Sequence, residues 1–505
     1  MHPVRLAAPE LIRAQAPPRG RQARGRTGKG PRLSLTRLDV RQLRRQAAWK
    51  PSFLPFLVTF LLCLYISTAT YSSRTGLVGW ITTVVWTVPT PASVIGLVGA
   101  LLTLRRVRRQ RGWREVAPAN DDILVVVVPT IGRNDTYPAL ERAVLSYARY
   151  FPEYFPYLRI DIIVEEGCEA QGAIDRLAAS DPVFRVVVVP RSYTTPNGTK
   201  FKARANHYSH ELRISQGEAR DDVWILHMDD DTGVGPDTGA SMARFINAQR
   251  RAGEDAKHLA QGVLTYPREH AVNRMTWLCD SVRPSCDITL FAVMTGSGTP
   301  RAGLHGELLL IRSSIEATIG WDFGPKAIVE DAQLALHFSA RYKGRSDWFS
   351  GSCYGASPAT MKDLMKQRER WAWGLIALAF NRTVPLRSRL LLMYNVSAWS
   401  LGLVQHVGVI LAFGALIGDL NTSPATPWVL PLWALNVASG VWMYWEGLKL
   451  NATVSVNGRR LWWEPIAVVG LIPVFSLFEG FAVFRGLLRF LRGTENKFVV
   501  IAKPA

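Results

Sequence analysis

Cysteine is scarce in this chain of 505 residues, and acid is scarce relative to base. The five cysteines (Cys63, Cys168, Cys279, Cys286 and Cys353) are odd in number, scattered, and without metal-ligand spacing. That excludes a disulfide-built scaffold and a thiolate zinc site, and it implies reduced thiols in a cytosol-facing domain. Asp and Glu number 40 against 60 Lys and Arg, and the excess is uneven: residues 1–50 hold 13 Lys/Arg against Glu10 and Asp39. This stretch lacks a sustained apolar period, so it reads as a disordered basic cytoplasmic tail. It has no aromatic residue before Trp49 and no nucleic-acid fold after it, so no nucleic-acid partner is expected. Nor does it offer the small-residue cleavage site of a signal peptide. Beside membrane-length segments, its expected role is to set orientation and to touch anionic lipid.

What the chain has in plenty is apolar residues, 48% with 17 Trp, concentrated toward both ends. Residues 53–104 contain two runs of membrane length, 53–70 and 76–104, the second interrupted by Pro89 and Pro91. Arginines 105, 106, 108, 109, 111 and 114 follow at once. With the basic tail on the other flank, the hairpin is expected to have both ends in the cytoplasm. Residues 388–490 hold about three transmembrane or re-entrant segments, at 392–418, 427–448 and 463–488. Three crossings would leave the basic tail 491–505 outside, so either 463–488 turns back around Pro473 or 388–418 hides a second segment. The chain reads as an integral membrane protein of the plasma membrane with a cytoplasmic central domain.

Residues 115–375 form that domain, and their alternating strand and helix signals argue for an α/β layer structure. Ile123–Val128 is a continuous apolar run ending in Pro129-Thr130, as a buried parallel strand would be. A helix is expected over Tyr137–Tyr150, with further strands at Ile160–Val164, Phe184–Val189 and Val223–Leu226. In open α/β sheets ligands sit at the carboxyl ends of strands. Two of these ends carry Glu165-Glu166-Gly167 and Asp229-Asp230-Asp231.

Two later stations complete the set: Glu330-Asp331, and Gln367-Arg368-Glu369-Arg370-Trp371. Each has an ordinary reading. Glu165-Glu166 could be a solvated turn, Asp229–Asp231 a cap and turn before Gly233 and Pro236, and Glu330-Asp331 a complement to a helix dipole. Read chemically, three consecutive acids repel one another, and a hard divalent cation, Mg²⁺ or Mn²⁺, would offset that cost while leaving room for diphosphate oxygens. A carboxylate in a water-poor pocket can deprotonate an attacking hydroxyl. Arg370 could face a departing diphosphate, and Trp371 could wall a sugar.

In this order and at these separations, the four stations resemble the family-2 glycosyltransferases of GT-A (Rossmann-like) fold. Lys200-Phe201-Lys202-Ala203-Arg204-Ala205, Gln261-Gly262, Asp280-Ser281-x-Arg283, Gly320-Trp321-Asp322 and Ser357-Pro358-x-Thr360 narrow the likeness to the animal β-1,4-mannosyltransferases that extend glucosylceramide. The resemblance covers about residues 120–375. It implies a nucleotide-sugar domain inserted between N- and C-terminal transmembrane helices. The donor-binding residues would be Glu165 or Glu166, Lys202 and Asp229. Asp229 and Asp231 would hold the metal, Asp331 would be the general base, and Gln367, Arg370 and Trp371 would finish the catalytic site. The chain departs from the family at the second strand end, where Glu stands in place of the usual Asp, and at Gly355-Ala356, where the mannosyltransferases have Glu-Lys.

The expected activity is inverting, metal-dependent transfer of a hexose, of mannose or glucose type, from a nucleoside diphosphate sugar to a membrane-associated lipid or glycan acceptor. A processive polysaccharide synthase with coupled export and a catalytically inert nucleotide-sugar sensor are the competing readings.

Overall fold

A computed structural model describes residues 35–72, 76–109, 116–417, 423–458 and 461–493. Most of the basic tail and nearly all of 491–505 therefore lie outside the described residues. The described part of the tail is not all irregular. Arg37–Ala48 is a helix (α1), because Thr36 and Asp39 form a reciprocal capping box at its start. Leu43 is buried, and the Asp39 carboxylate accepts from Arg149 and Tyr150, each at 2.8 Å.

Three apolar helices follow: α2 (Leu54–Ala69), α3 (Leu77–Thr87) and α4 (Thr90–Arg109). Then comes the central α/β unit, with β1 (Ile123–Pro129), α5 (Tyr137–Tyr150), β2 (Tyr157–Glu165), α6 (Gln171–Ser180), β3 (Phe184–Val189), α7 (Phe201–Ser215), β4 (Val223–His227), β5 (Gly233–Val234) and α8 (Thr238–Ala252). It continues through β6 (Leu259–Thr265), α9 (Arg274–Asp280), α10 (Arg283–Cys286), a π-helical turn over Asp287–Phe291, α11 (Ala292–Gly296), β7 (Leu309–Arg312), α12 (Ser313–Ile319), α13 (Glu330–Arg341) and β8 (Ser346–Tyr354). Four long helices close the chain: α14 (Met361–Phe380), α15 (Leu386–Ile417), α16 (Leu430–Val454) and α17 (Trp463–Leu491).

The eight strands form one mixed sheet in the order β3-β2-β1-β4-β7-β6-β8-β5. The first four are parallel, and β7 enters antiparallel to β4. The apolar run of β1 is unbroken, whereas β2 buries Asp161 against Arg159 and Arg185. Both faces are covered: Leu124, Val126 and Val128 join one core and Val125 and Val127 the other. That is why β1 shows no alternation of apolar and polar residues. The parallel register sets Pro129 beside Ile163 and Val127 beside His227, so the strands end together. Glu165 and the Asp cluster thus arrive at one edge of the sheet.

Among the described residues, two helical stretches are long and apolar enough to cross a membrane, Leu77–Arg105 and Trp463–Leu491, and Leu54–Ala69 is a shorter apolar helix. Trp463–Leu491 runs unbroken with Pro473 inside it. The helix α16 packs among the N-terminal ones. Trp433 stacks on Trp86 at 4.8 Å, and the Asn436 amide meets the Ser93 hydroxyl, the Trp86 carbonyl and Thr90.

Candidate active site

One cavity of about 820 Å³ opens at the carboxyl ends of β1, β2 and β4 and continues between α4, α15, α16 and α17. Its wall takes in residues from all four stations: Glu165, Asp229, Asp230, Asp231, Glu330, Asp331, Gln367, Arg370 and Trp371, together with Lys202. Glu166 is the exception. It faces outward, its carboxylate accepting from the Arg191 backbone N–H at 2.9 Å. Of the paired acids at this strand end, only Glu165 reaches the cavity. Arg204 holds it there, one guanidinium nitrogen lying 2.5 Å from each carboxylate oxygen while the other bonds the Pro190 carbonyl.

The Asp cluster is tied to the neighbouring strand by the Thr130 hydroxyl, which donates to Asp230 at 2.7 Å. Beneath it, His227 turns away from the cavity toward the fully buried Glu316, which also accepts from Arg213 and Trp321. Asp229 pairs with the Lys202 ammonium, which also lies 3.6 Å from Glu330. Those carboxylates hold the lysine's proton affinity well above its ordinary value, against the pull of burial. Lys202 follows Phe201, one of two described non-glycine residues with left-handed backbone (φ 58°).

The other is Leu308 (φ 54°), and it flanks the segment His305-Gly306-Glu307, to which no role could be given from sequence. A Cβ built on Gly306 would lie 2.7 Å from Lys202 Nζ, 3.1 Å from Asp331 Oδ2 and 3.4 Å from Asp229 Oδ1. The glycine lets the backbone pass close to three charged groups, and any larger residue would have to displace the Lys202 ammonium. Two strained residues beside the same three groups fit the habit of functional sites to hold such backbone. His305 is itself clamped between Asp287 and Glu307, 3.0 Å from each, and they push its pKa up to about 10 against the cost of burial.

Asp331 stands in the first turn of α13, with Oδ1 accepting from the Ala332 N–H at 2.7 Å. Burial, reinforced by the neighbouring charge of Glu330, raises its pKa to about 7 in spite of Lys202. Burial pulls the Arg370 guanidinium below its ordinary proton affinity, and the nearby charges of Glu330, Asp229 and Asp331 offset this only in part. Two guanidiniums lie over the Trp371 ring, Arg283 at 4.6 Å and Arg368 at 4.5 Å. The roles of Gly306, His305, Glu307 and Arg368 come from contacts between distant segments, and no local sequence signal marks them.

Among the described residues, no group of three or more His, Cys, Asp or Glu side chains is arranged to hold a metal. Asp229 and Asp231 do supply two hard carboxylates on the cavity wall. That donor set fits a Mg²⁺ or Mn²⁺ that takes its remaining ligands from diphosphate and water.

Residues 224–445 match the model of the glycosyl transferase family group 2. The β-1,4-mannosyltransferase egh of Drosophila melanogaster is 28% identical over 325 residues, covering 63% of this chain and 66% of its own. The β-1,4-mannosyltransferase bre-3 of Caenorhabditis briggsae is 30% identical over 223 residues, 44% of this chain and 47% of its own. A probable UDP-forming cellulose synthase A catalytic subunit 2 of Oryza sativa subsp. indica is 26% identical over 240 residues, 41% of this chain and 20% of its own. The match thus spans about two thirds to half the length of the mannosyltransferases. Among solved structures, a mannosyltransferase from Pyrobaculum calidifontis in complex with GDP-Man and Mn²⁺ superposes with a TM-score of 0.42 at 14% identity, over 80% of this chain and 99% of that one. In its motifs and in the match over residues 224–445, the chain is similar to the glycosyl transferase family group 2.

Proposed function

We propose that this protein is an inverting glycosyltransferase of GT-A type. It would move a hexose, mannose by its likeness to the β-1,4-mannosyltransferases, from a nucleoside diphosphate to a membrane-associated lipid or glycan acceptor. The observation that carries the reading is Asp331: a half-buried carboxyl with pKa about 7, within a few ångströms of Lys202 and Asp229, on the wall shared by the other stations. A general base works best with a pKa near the operating pH. In this reading Asp331 takes the acceptor hydroxyl's proton as that oxygen attacks the anomeric carbon, and the bond to the diphosphate breaks on the opposite side. Arg370 and Lys202 offset charge on the leaving diphosphate. Asp229 and Asp231 hold the cation, which would supply further charge compensation there. Glu165, pinned by Arg204, accepts from the nucleoside, and Trp371 with Gln367 walls the sugar.

The membrane setting rests on the outward faces of the flanking helices. Leu57, Val58, Leu61, Trp80, Ile81 and Val84, and on α17 Ile466, Leu477, Phe481 and Phe484, are all about half exposed or more. Faces so apolar suit acyl chains. With basic clusters flanking the N-terminal spans, the catalytic domain is assigned to the cytoplasmic side of the plasma membrane.

The test is nucleoside diphosphate release by detergent-purified protein, across a panel of sugar nucleotides with Mn²⁺ or Mg²⁺ and membrane lipid extract. Release from one donor, lost with chelator and in Asp331→Asn, supports the reading. Donor binding without release by the native protein would make it the inert sensor, and no binding at all would sink the site. A second reading, processive synthesis with export, draws on the cavity's extension between the membrane helices past Ser93, Trp399, Asn436 and Ser439. Product length separates the two.

A further inference from the structure

The interior of the Gln367–Trp371 motif carries an ion-pair hub that reaches into the last membrane helix. Arg368 is 2% exposed, and its guanidinium is spoken for on every side. Nε donates to Glu479 of α17 at 2.9 Å, one terminal nitrogen donates to Asp280 of α9, and the other to the Gln367 carbonyl at 2.9 Å. Its flat face lies 4.5 Å from the Trp371 ring. The second Glu479 oxygen accepts from Trp399 Nε1 of α15 at 2.8 Å. Glu479, Trp399, Arg368, Gln367 and Trp371 all line the cavity.

We propose that Glu479 is a positioning residue for sugar transfer: through Arg368, the membrane helix α17 sets both Gln367 and Trp371. This rests on the transferase reading above. Glu479 accepts from Arg368 Nε and Trp399 Nε1, with the Cys279 thiol 3.8 Å from the oxygen that Arg368 uses, so together with Asp280 and Gln367 it fixes the plane of the guanidinium. That plane in turn helps define the slot that the indole occupies, where Arg283 also lies 4.6 Å from the ring. A buried arginine with one partner removed seeks another, and the indole would shift with it. Misplacement of about 1 Å at a positioning group can cost on the order of a hundredfold in rate.

Glu479→Gln keeps the shape but offers one donor-type group where both partners are donors, so one hydrogen bond must be lost. The expected result is a loss in kcat/KM of about tenfold to a hundredfold, with nucleoside diphosphate affinity within about twofold of native. The Trp371→Phe loss should shrink in the E479Q background, because the two act on one contact. An unaltered kcat/KM in E479Q, or losses that simply multiply, would overturn the proposal, since a remote structural role predicts additivity. Should E479Q fail to fold, Trp399→Phe removes one of the two hydrogen bonds. It must then reduce kcat/KM in the same direction by less, and no change counts against the proposal.

A readout free of turnover is the near-ultraviolet circular dichroism difference between native and W371F protein. A clamped indole gives a signal that should weaken when the same difference is taken in the E479Q background. An unchanged difference overturns the positioning role. If native protein releases no nucleoside diphosphate, the transferase reading fails and the dichroism still decides this one.

Discussion

At Asp331 two environments oppose each other. The first turn of a helix favours a carboxylate, and so does Lys202, but burial and the adjacent Glu330 favour the acid, and they prevail. The sign of the pH dependence follows. The base must be unprotonated, so kcat/KM should rise with pH through about 7 and level off above it, as a profile from pH ~5.5 to ~9 would reveal. Asp331→Asn should lower kcat on the order of 10²- to 10⁴-fold while leaving donor affinity near native, measured by turnover and by nucleotide binding. At Gly306 the constraint is space. Gly306→Ala introduces a methyl 2.7 Å from Lys202 Nζ and should weaken donor binding by roughly tenfold or more, with little change in melting temperature. Unchanged affinity in this variant would mean that the close approach has no part in the site.

Among elements, β4 and α12 depend on each other through Glu316. The strand carries Asp229 just beyond its end, and Glu316 holds His227, Arg213 and Trp321 with 2.7–2.8 Å bonds at 0% exposure. Removing one partner of a buried ion pair costs about 3–5 kcal/mol, because the other charge is left uncompensated. Glu316→Ala should therefore lower the melting temperature by several degrees and reduce donor affinity as the strand end loosens. The Arg213 charge, followed by His227, holds the Glu316 carboxyl well below its usual range, although burial acts the other way. A depressed carboxyl contributes stability above its unfolded pKa and loses it as pH falls through the folded value. Acid should thus destabilise native protein below about pH 4.5. The E316A variant should show a flatter melting-temperature profile there.

For the whole molecule, the cavity runs from the strand ends into the helical bundle, so the wall bearing the four stations and the apolar helices line one space. Membranes carrying the full chain should retain it after alkaline extraction, and its release would refute the spanning assignment. Incubation with the active donor should extend a lipid-borne acceptor by a single sugar. A ladder of longer products would transfer the bundle end of the cavity to the role of an export path.

The four parallel strands were legible in the chain itself, because a strand buried on both faces is mostly apolar; β2 departs from this by burying Asp161, which Arg159 and Arg185 neutralise. β1 and β3 follow that pattern closely, and their ends came within a residue of the reading. The stations were legible too, since carboxylates after an apolar strand are costly without a chemical reason. Nothing local distinguished Glu165 from Glu166. That choice came from Arg204 on one side and Arg191 on the other, both more than twenty residues away. The described end of the tail was misread as disordered, because one buried leucine and a capping box are too faint a pattern when read without a partner surface. Composition, periodicity and motif order thus determined an α/β domain between apolar segments and the chemistry at its edge. Tertiary structure alone decided that Gly306 lies beside Lys202, Asp331 and Asp229, that His305 sits between two acids, and that Glu479 reaches Trp371 through Arg368. Each of those rests on distances between segments far apart in the chain, which sequence order does not encode.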